Sequence, residues 1–373
     1  MNISRVAVVA SAQTELRPAW RNAQHIDLIS AVVSDVFKGS GLGLPDVDFV
    51  IDSGSDVLDG RSISNCGFLG AMGAHHKEES RVEEDGLWAA LYGATKIAAG
   101  GAGVGLIIAY SKPSESAVDV FYDSQIEPFY QRPVGFGHLA ASGIQAQRYL
   151  ASHKRSEADL AHLVARRWAD GGRYGRVQMD RSPVDADVLA SPFVATPLRQ
   201  LMMSRPTDGA VAVLLASEDI ARRIARTPVW ITGLGASMDR HSFAARRAGA
   251  LEACAKAGES ACSRAGWKSV APSVAEVSGS SAVGEAMVLE SLGLAAAGRG
   301  LECGTGGGAL AVNRSGGALP ADPIMATGLV RLAHAARQLT WPELYGLKSP
   351  TSALVHGAGG VGMQSHCVMT LEV

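Results

Sequence analysis

Long apolar runs are missing from this sequence, and none approaches the ~18 residues that a membrane-spanning helix requires. An excess of charge of one sign is also missing, because 34 Lys and Arg are balanced by 36 Asp and Glu. The net charge of −2 gives no electrostatic reason to expect a nucleic acid or an anionic membrane as a partner. The opening MNISRVAVVASAQTEL predicts a first β-strand rather than a signal peptide.

Cysteine is scarce and shows no pairing pattern. The five cysteines are Cys66, Cys254, Cys262, Cys303 and Cys367. Their number is odd and none forms a CxxC pair, which argues against a disulfide framework and against a zinc site. No histidine has a metal-binding spacing with a cysteine. We therefore expect a reducing, cytoplasmic location and no bound metal.

Apolar material is plentiful. Hydrophobic residues make up 47% of the 373 positions and charged residues only 19%. This composition supports a large buried core, arranged as two ordinary domains or as one large layered unit. The 43 glycines, together with this apolar content, indicate close backbone packing rather than disorder.

Short apolar runs alternate with helical patterns, which predicts an α/β protein. Strands are expected at 5–11 and 104–111, and helices at 25–41, 86–99 and 246–265. From residue 228 the opening pattern repeats, since PVWITGLGASMD is similar to RVAVVASAQTEL. We predict an N-terminal half at 1–225, with an inserted, mostly helical loop domain at about 112–205, and a C-terminal half at 226–373.

Four segments carry a resemblance to a known family. AEVSGSSAVGEAMVLESLGL resembles the thiolase motif E-x-x-D-C-F-x-x-x-E-L-x-x-x-E-x-L-G-L, and VNRSGGALPADPIMATGL resembles V-N-P-S-G-G-x-x-x-x-G-H-P-x-G-A-T-G-L. ALVHGAGGVGMQSHCVMTLE resembles the closing segment of sterol-carrier-protein-type thiolases, and DGLWAALYGATKIAAG resembles the thiolase nucleophile helix. The resemblance implies duplicated βαβαβαββ halves in stacked α/β layers, and a homodimer.

The departures from these motifs bear on function. Anchoring on Gly86 places Glu83 where the family has its nucleophilic cysteine. The two family histidines fall on Ser278 and Asp322, and the final cysteine falls near His356. A thiolase needs a thiolate that accepts an acyl group, and a carboxylate is a poor acyl carrier. The sequence therefore predicts a protein that is not a Claisen thiolase.

The segments VEEDG and SKPSES look like those of thiolase-like proteins in steroid and bile-acid side-chain degradation. That lipid-metabolism group includes retro-aldolases, which cleave 3-hydroxyacyl-CoA thioesters alongside a small zinc-ribbon/OB-fold partner protein. The resemblance implies a carbon–carbon lyase of the aldolase type that acts on acyl-CoA. CoA enters only as part of the substrate, and no separate cofactor is expected.

Five residues are candidates for the chemistry, each with a structural alternative. Asp322 is a general base or a turn residue, and His356 is a proton handler or a histidine bound to nearby backbone. The Ser278 hydroxyl binds a substrate oxygen or belongs to a packed turn. Glu83 is a base or gate in the former nucleophile pocket, or a solvated acid at a helix start. Tyr345 donates to an alkoxide or enolate, or serves only in packing.

The remaining hypotheses concern the residues that bind phosphate and two alternative functions of the protein. Arg166, Arg167, Arg173 and Arg176 are candidates to bind the phosphates of CoA, or they form a solvated helix face. A second functional hypothesis is a non-catalytic thiolase-like subunit that scaffolds a partner enzyme. A third is an acyltransferase or thiolase that uses a cysteine outside the family motif.

Overall fold

The computed structural model describes residues 4–305 and 310–373. Over these residues the chain forms twelve strands and twelve α-helices. The strands are β1 (Val6–Gln13), β2 (Phe49–Ser53), β3 (Glu78–Val82), β4 (Val104–Ser111), β5 (Phe193–Ala195), β6 (Leu198–Arg199), β7 (Gly209–Ser217), β8 (Val229–Met238), β9 (Val274–Val277), β10 (Ala311–Val312), β11 (Ser352–Gly359) and β12 (Ser365–Glu372). The helices are α1 (His25–Val36), α2 (Asp56–Asp59), α3 (Leu69–Met72), α4 (Gly86–Ala98), α5 (Val118–Ser124), α6 (His138–His153), α7 (Glu157–Tyr174), α8 (Asp185–Ala190), α9 (Glu218–Ile224), α10 (Glu252–Arg264), α11 (Ala282–Ser291) and α12 (Thr327–Thr340).

The main sheet has a symmetric strand order. Ten strands hydrogen-bond in the order β10-β9-β11-β12-β8-β1-β7-β4-β2-β3. Read outward from the central β1–β8 pair, one side runs β1, β7, β4, β2, β3 and the other β8, β12, β11, β9, β10. In each half the outer three strands are parallel and the inner pairings are antiparallel. This order confirms the predicted duplication of the α/β fold.

The helices complete a set of stacked layers. Helix α1 covers the outer face of the N-terminal half of the sheet, and α10 covers the outer face of the C-terminal half. Helices α4 and α12 pack against each other and against strands of both halves, so they form the central layer. They hold equivalent places, because α4 connects β3 to β4 and α12 connects β10 to β11. Their starting points therefore meet in the middle of the molecule.

Strand β4 illustrates how a continuous apolar run forms a strand that is buried on both faces of the sheet. All eight of its residues are buried. Ile107 and Ala109 face the core around α4 and α12, whereas Leu106 and Ile108 face the core beneath α1. A strand covered on both faces needs apolar side chains at successive positions. The predicted strand at 104–111 coincides with the observed one.

Helix ends follow local backbone chemistry more than the apolar pattern. Helix α1 ends at Val36 rather than at the predicted residue 41, and Gly39 and Gly41 follow with φ of 73° and 75°. Those left-handed conformations end a helix and suit glycine. Helix α10 begins at Glu252, six residues later than predicted. None of the described helices is both long and apolar enough to cross a membrane.

A single carboxylate joins the two central helices. Asp85 is the N-cap of α4, and its Oδ1 accepts a hydrogen bond from Leu87 N at 3.0 Å. Its Oδ2 accepts from Gly328 N in the first turn of α12, at 2.7 Å. A Cβ at Gly328 would lie 1.9 Å from Oδ1, so glycine there makes room for the carboxylate. Asp85 thus satisfies donors of two helix N-termini at once.

A buried ion pair holds the loop domain to the C-terminal half. Arg167 of α7 donates from Nε to Glu285 Oε1 of α11 at 2.6 Å, and from a terminal nitrogen to Val312 O at 2.8 Å. Each of the two side chains is 1% exposed. Removing one partner would leave the other charge buried without compensation. The pair therefore constrains how α7 and α11 pack.

We expect Asp85→Asn to lower the free energy of unfolding by about 1–3 kcal/mol, because an amide nitrogen cannot accept the second N–H bond and leaves a buried donor unsatisfied. Urea denaturation measures the loss. Asp27→Asn is the matched control: Asp27 also stands in a first helical turn, but it is exposed and accepts from one backbone N–H, that of Gln24. Equal losses for the two variants would contradict the bridging role.

We expect Arg167→Met to lower the free energy of unfolding by about 3–5 kcal/mol, since the Glu285 carboxylate is then buried and unpaired. The double variant Arg167→Met/Glu285→Gln should regain part of that loss, because no buried charge remains. Lys38→Ala, which removes the exposed Lys38–Asp35 pair, should change stability by less than ~1 kcal/mol. A double variant less stable than the single one would refute this account.

Candidate functional site

A cleft of about 360 Å³ opens at the start of the two central helices. Its floor and walls come from residues 83–85 before α4, 278–280 after β9, 322–327 before and into α12, and 358–365 around the β11–β12 turn. Helix α5 of the loop domain supplies a further wall. The volume lies in the range of about 300–1,000 Å³ that is usual for ligand pockets.

The cleft brings together some of the residues predicted from sequence. Asp322, Ser278 and Glu83 line it. His356 is buried directly behind Ser278, and Tyr345 does not line the cleft. The catalytic roles of all five stay predictions.

Asp322 lies in the turn before α12, partly exposed to the cleft. The Thr327 hydroxyl donates to its Oδ1 at 2.5 Å, and the Ser204 hydroxyl lies near the carboxylate. Burial raises the pKa of Asp322 above its ordinary value, while these hydroxyls and the charge of Arg331 act in the opposite direction. Burial outweighs these effects, so the site presents a carboxyl group whose pKa is raised, as a general base that works near neutral pH requires.

Ser278 offers a free hydroxyl to the cleft. The residue is 5% exposed, and its Oγ has no hydrogen-bond partner in the described part of the chain. Its backbone N–H is already used, because it donates to His356 Nδ1 at 3.4 Å. A buried hydroxyl without a partner at a cleft wall is a group that a ligand would satisfy. Ser278 can thus contact a substrate through Oγ but not through its amide.

His356 belongs to a chain of hydrogen bonds behind the cleft. Since its Nδ1 accepts from Ser278, its Nε2 carries the hydrogen and donates to His366 Nδ1 at 2.9 Å. His366 Nε2 then donates to Met363 O at 3.0 Å. Burial lowers the pKa of His356 well below its ordinary value and that of His366 to about 4. Both rings are neutral in this arrangement, and the chain fixes Ser278.

The same two histidines lie near a cysteine. Ligand atoms of Cys254, His356 and His366 all fall within 4.8 Å of one another. A metal at His356 Nε2 would force the ring hydrogen onto Nδ1, where it would face the N–H of Ser278. Metal-bound histidines normally direct their other N–H at a carbonyl or carboxylate. The hydrogen-bond polarity here favours two neutral rings without a metal.

The acidic residues before α4 point in different directions. Glu83 is exposed at the rim, where its Oε1 accepts from Arg81 and from Asp56 N. Glu84 is half-buried in the cleft, and its Oε2 accepts from the Ser365 hydroxyl at 3.3 Å. Burial raises the pKa of Asp85 to about 7, against the effect of its two N–H bonds. Glu84, rather than Glu83, occupies the deeper position beside the helix start.

Glu84 is the functional candidate that sequence reasoning missed. The alignment on Gly86 selected Glu83, three residues earlier, and gave no reason to prefer its neighbour. A Cβ at Gly359 would lie 2.5 Å from Glu84 Oε2, so this carboxylate occupies space left by a glycine more than 270 residues away. The run of three acids was the only local signal, and local pattern cannot show which of them faces a distant turn.

The other predicted residues lie elsewhere. Tyr345 is buried, and its hydroxyl hydrogen-bonds to His334 Nδ1 at 2.8 Å. Arg167 is held in its ion pair with Glu285, and Arg166 donates to two backbone carbonyls. Arg173 and Arg176 are exposed. None of these five side chains lines the cleft.

The chemistry of the cleft is acidic and free of thiols. Glu83, Glu84, Asp85 and Asp322 line it, whereas within the described residues no lysine, arginine, histidine or cysteine does. The most exposed cysteine, Cys66, lies outside it. The cleft can accept protons and hydrogen bonds, but it offers neither an acyl-accepting sulfur nor a positive charge for phosphate.

Comparisons with known proteins agree with this fold. Residues 235–372 match the family described as thiolase C-terminal domain-like. An acetyl-CoA acetyltransferase of Methanothermobacter thermautotrophicus is 27% identical over 247 residues. That match spans 62% of this chain and 62% of the relative, which is less than two thirds of the relative's length.

Solved structures cover the whole chain. An Ltp2-ChsH2(DUF35) aldolase superposes with a TM-score of 0.83 at 19% identity, over 100% of this chain and 99% of that one. Human mitochondrial 3-ketoacyl-CoA thiolase superposes with a TM-score of 0.74 at 18% identity, over the same shares. At these identities the likeness concerns the fold. The chain therefore has the thiolase fold over its full length, and its residues 235–372 match the thiolase C-terminal domain-like family.

Proposed function

We propose that this protein cleaves the C2–C3 bond of a 3-hydroxyacyl-CoA thioester by a retro-aldol reaction. The observation that carries the proposal is the content of the cleft: a carboxyl group, Asp322, and a free hydroxyl, Ser278, with no thiol among the described lining residues. Retro-aldol cleavage needs a base and a hydrogen-bond donor to the enolate, and it needs no covalent intermediate. The aldolase named among the structural relatives makes this chemistry compatible with the fold.

Two residues carry the cleavage step. The Asp322 carboxylate takes the proton of the substrate's 3-hydroxyl group. The C3–O bond becomes a carbonyl, the C2–C3 bond breaks, and its electron pair forms the thioester enolate. The Ser278 hydroxyl donates to the enolate oxygen, which the Ser278 amide cannot do because His356 occupies it. An aldehyde or ketone leaves, and the shortened acyl-CoA remains.

The negative charge of the cleft limits where the CoA phosphates of the substrate can lie. CoA carries several negative charges, and four carboxyl side chains line the cleft. The phosphates therefore lie outside it, and only the uncharged thioester and acyl end enters. Arg173 and Arg176 are exposed and remain candidates for the phosphates, whereas Arg166 and Arg167 are turned toward protein groups. A steroid side chain is a proposed acyl group.

Assembly is part of the proposal. The Ltp2-ChsH2(DUF35) aldolase is by its name a complex of two chains. We propose that this protein likewise works with a small zinc-ribbon/OB-fold partner, and that it forms a homodimer. A non-catalytic scaffold is the second candidate, since residues other than the family's cysteines and histidines stand at the aligned positions.

The expected result of Asp322→Asn is a fall in cleavage rate of ~10²–10⁴-fold, because the general base is lost. Ser278→Ala should lower the rate by ~10²–10³-fold through loss of the enolate donor. The wild-type rate should also fall on acidification with a midpoint above pH 3.8, since the base must be ionised and its pKa is raised. The assay follows carbonyl release from 3-hydroxybutyryl-CoA and longer 3-hydroxyacyl-CoA thioesters, with and without co-purifying protein.

Asp219→Asn is the control for this series, because Asp219 is an exposed residue of α9. Its rate should equal that of the wild type. A stable complex whose activity survives both Asp322→Asn and Ser278→Ala would assign the chemistry to the partner and make this chain the scaffold.

Iodoacetamide should leave the cleavage rate unchanged to within about twofold, because alkylation reaches Cys66 first and no described cysteine lines the cleft. Burial raises the pKa of Cys254 and of Cys367, which keeps both thiols unreactive. Mass spectrometry of the alkylated protein identifies the modified site, and the rate is measured on the same sample. Inactivation in step with alkylation would instead favour the cysteine-dependent acyltransferase hypothesis.

A further inference from the structure

We propose that Glu84 is the acid that returns a proton to C2 of the enolate and so completes the reaction. This inference rests on the proposed retro-aldol function, and it assigns the half of the proton transfer that Asp322 and Ser278 leave open. Glu84 lines the same cleft as both of them. It lies two residues before the start of α4 at Gly86, and Asp322 lies five residues before the start of α12 at Thr327.

The position of Glu84 is fixed by backbone contacts on both sides. The Ser53 hydroxyl donates to Glu84 O, and also to Met325 O at 3.0 Å. The next residue, Asp85, is locked between the two central helices. The Glu84 carboxyl then lies against Gly359 and Ser365 of the β11–β12 turn. These contacts hold the carboxyl at the cleft wall without filling its hydrogen-bonding capacity.

The surroundings of Glu84 and Asp322 differ, although burial raises the pKa of both carboxyl groups. Asp322 accepts a hydrogen bond from the Thr327 hydroxyl, and the positive charge of Arg331 acts against the effect of burial on its pKa. Glu84 has one hydroxyl partner, at 3.3 Å, and forms no ion pair with a described residue. Burial raises the pKa of Glu84, while the Ser365 hydroxyl and the backbone N–H of Asp85 act in the opposite direction. Two carboxyl groups in one site with unequal environments divide into an acid and a base.

The Ser278 hydroxyl is independent evidence that a ligand binds in the cleft that Glu84 and Asp322 line. It is nine-tenths buried, it lines the cleft, and no described protein group satisfies it. A thioester oxygen bound there places the reacting carbons inside the cleft that Asp322 and Glu84 line. The three groups then match the three needs of the reaction: hydroxyl deprotonation, enolate stabilisation and carbon protonation.

The proton count closes over one turnover. Asp322 gains the proton of the 3-hydroxyl, the C2–C3 bond breaks, and the electron pair resides in the enolate. Glu84 gives its proton to C2, which forms the new C–H bond and leaves Glu84 ionised. Solvent takes the proton from Asp322 and returns one to Glu84, and no oxidant or reductant is needed. In the reverse sense, ionised Glu84 removes a C2 proton from the product acyl-CoA.

This reverse step supplies a test that is separate from cleavage. The full-length protein, with any co-purifying partner, is incubated in D₂O with propionyl-CoA, and deuterium at C2 is measured by mass spectrometry. Wild type should incorporate deuterium, and Glu84→Gln should lower the exchange rate by ~10²–10⁴-fold. Asp322→Asn should retain exchange while losing cleavage, because Asp322 acts only on the hydroxyl. Glu259→Gln, an exposed site on α10, should match wild type in both assays.

The outcomes separate the two proposals. Exchange that persists in Glu84→Gln while wild type cleaves substrate overturns the role of Glu84 and leaves the aldolase function standing. A wild type that neither cleaves nor exchanges overturns the aldolase function and this inference together. Glu84→Asp keeps the charge and withdraws the carboxyl by one methylene, so it serves if Glu84→Gln does not fold. Exchange in Glu84→Asp at the wild-type rate would also overturn the proposal.

Discussion

The carboxylate of Asp85 is the constraint on which the site depends. It accepts N–H groups from the first turns of α4 and α12, and so fixes the distance between the two central helices. The cleft is the space that remains in front of those two helix starts. Glycines at 328 and 357 leave room for this carboxylate, since a Cβ at either would lie within 2.6 Å of it. The residues just before α4 and α12 are positioned relative to this one bridge.

The proposed function rests on what the duplicated fold places on either side of that bridge. The first half delivers three acidic residues to the cleft, Glu84 among them, and the second half delivers Asp322. The C-terminal half adds Ser278, whose amide is taken by His356 while its hydroxyl stays free. An acid, a base and a hydrogen-bond donor suit proton transfer around an enolate, and they do not suit acyl transfer to sulfur.

The cost of burying an unpaired charge explains where the charged side chains of the interior occur. Arg167 and Glu285 tie the loop domain to the C-terminal half, and each would be costly alone in the interior. This is the physical reason that Arg167, a candidate for phosphate binding from its place in a basic stretch, instead contacts a carboxylate. Helical periodicity places a residue on a face, but it does not tell which partner that face meets.

The sequence by itself determined the fold class, the duplication and the positions of several elements, among them the strand at 104–111 and the helix from Gly86. Apolar periodicity and glycine conformation are local properties, so the chain displays them directly. It also singled out Asp322 and Ser278, which both line the cleft. Only the tertiary structure decided that Glu84 lies deeper in the cleft than Glu83 and that Tyr345 lies outside the cleft. It also decided that His356 accepts a hydrogen bond from the Ser278 amide. Those facts depend on contacts between residues far apart in sequence, which form only when the two halves pack.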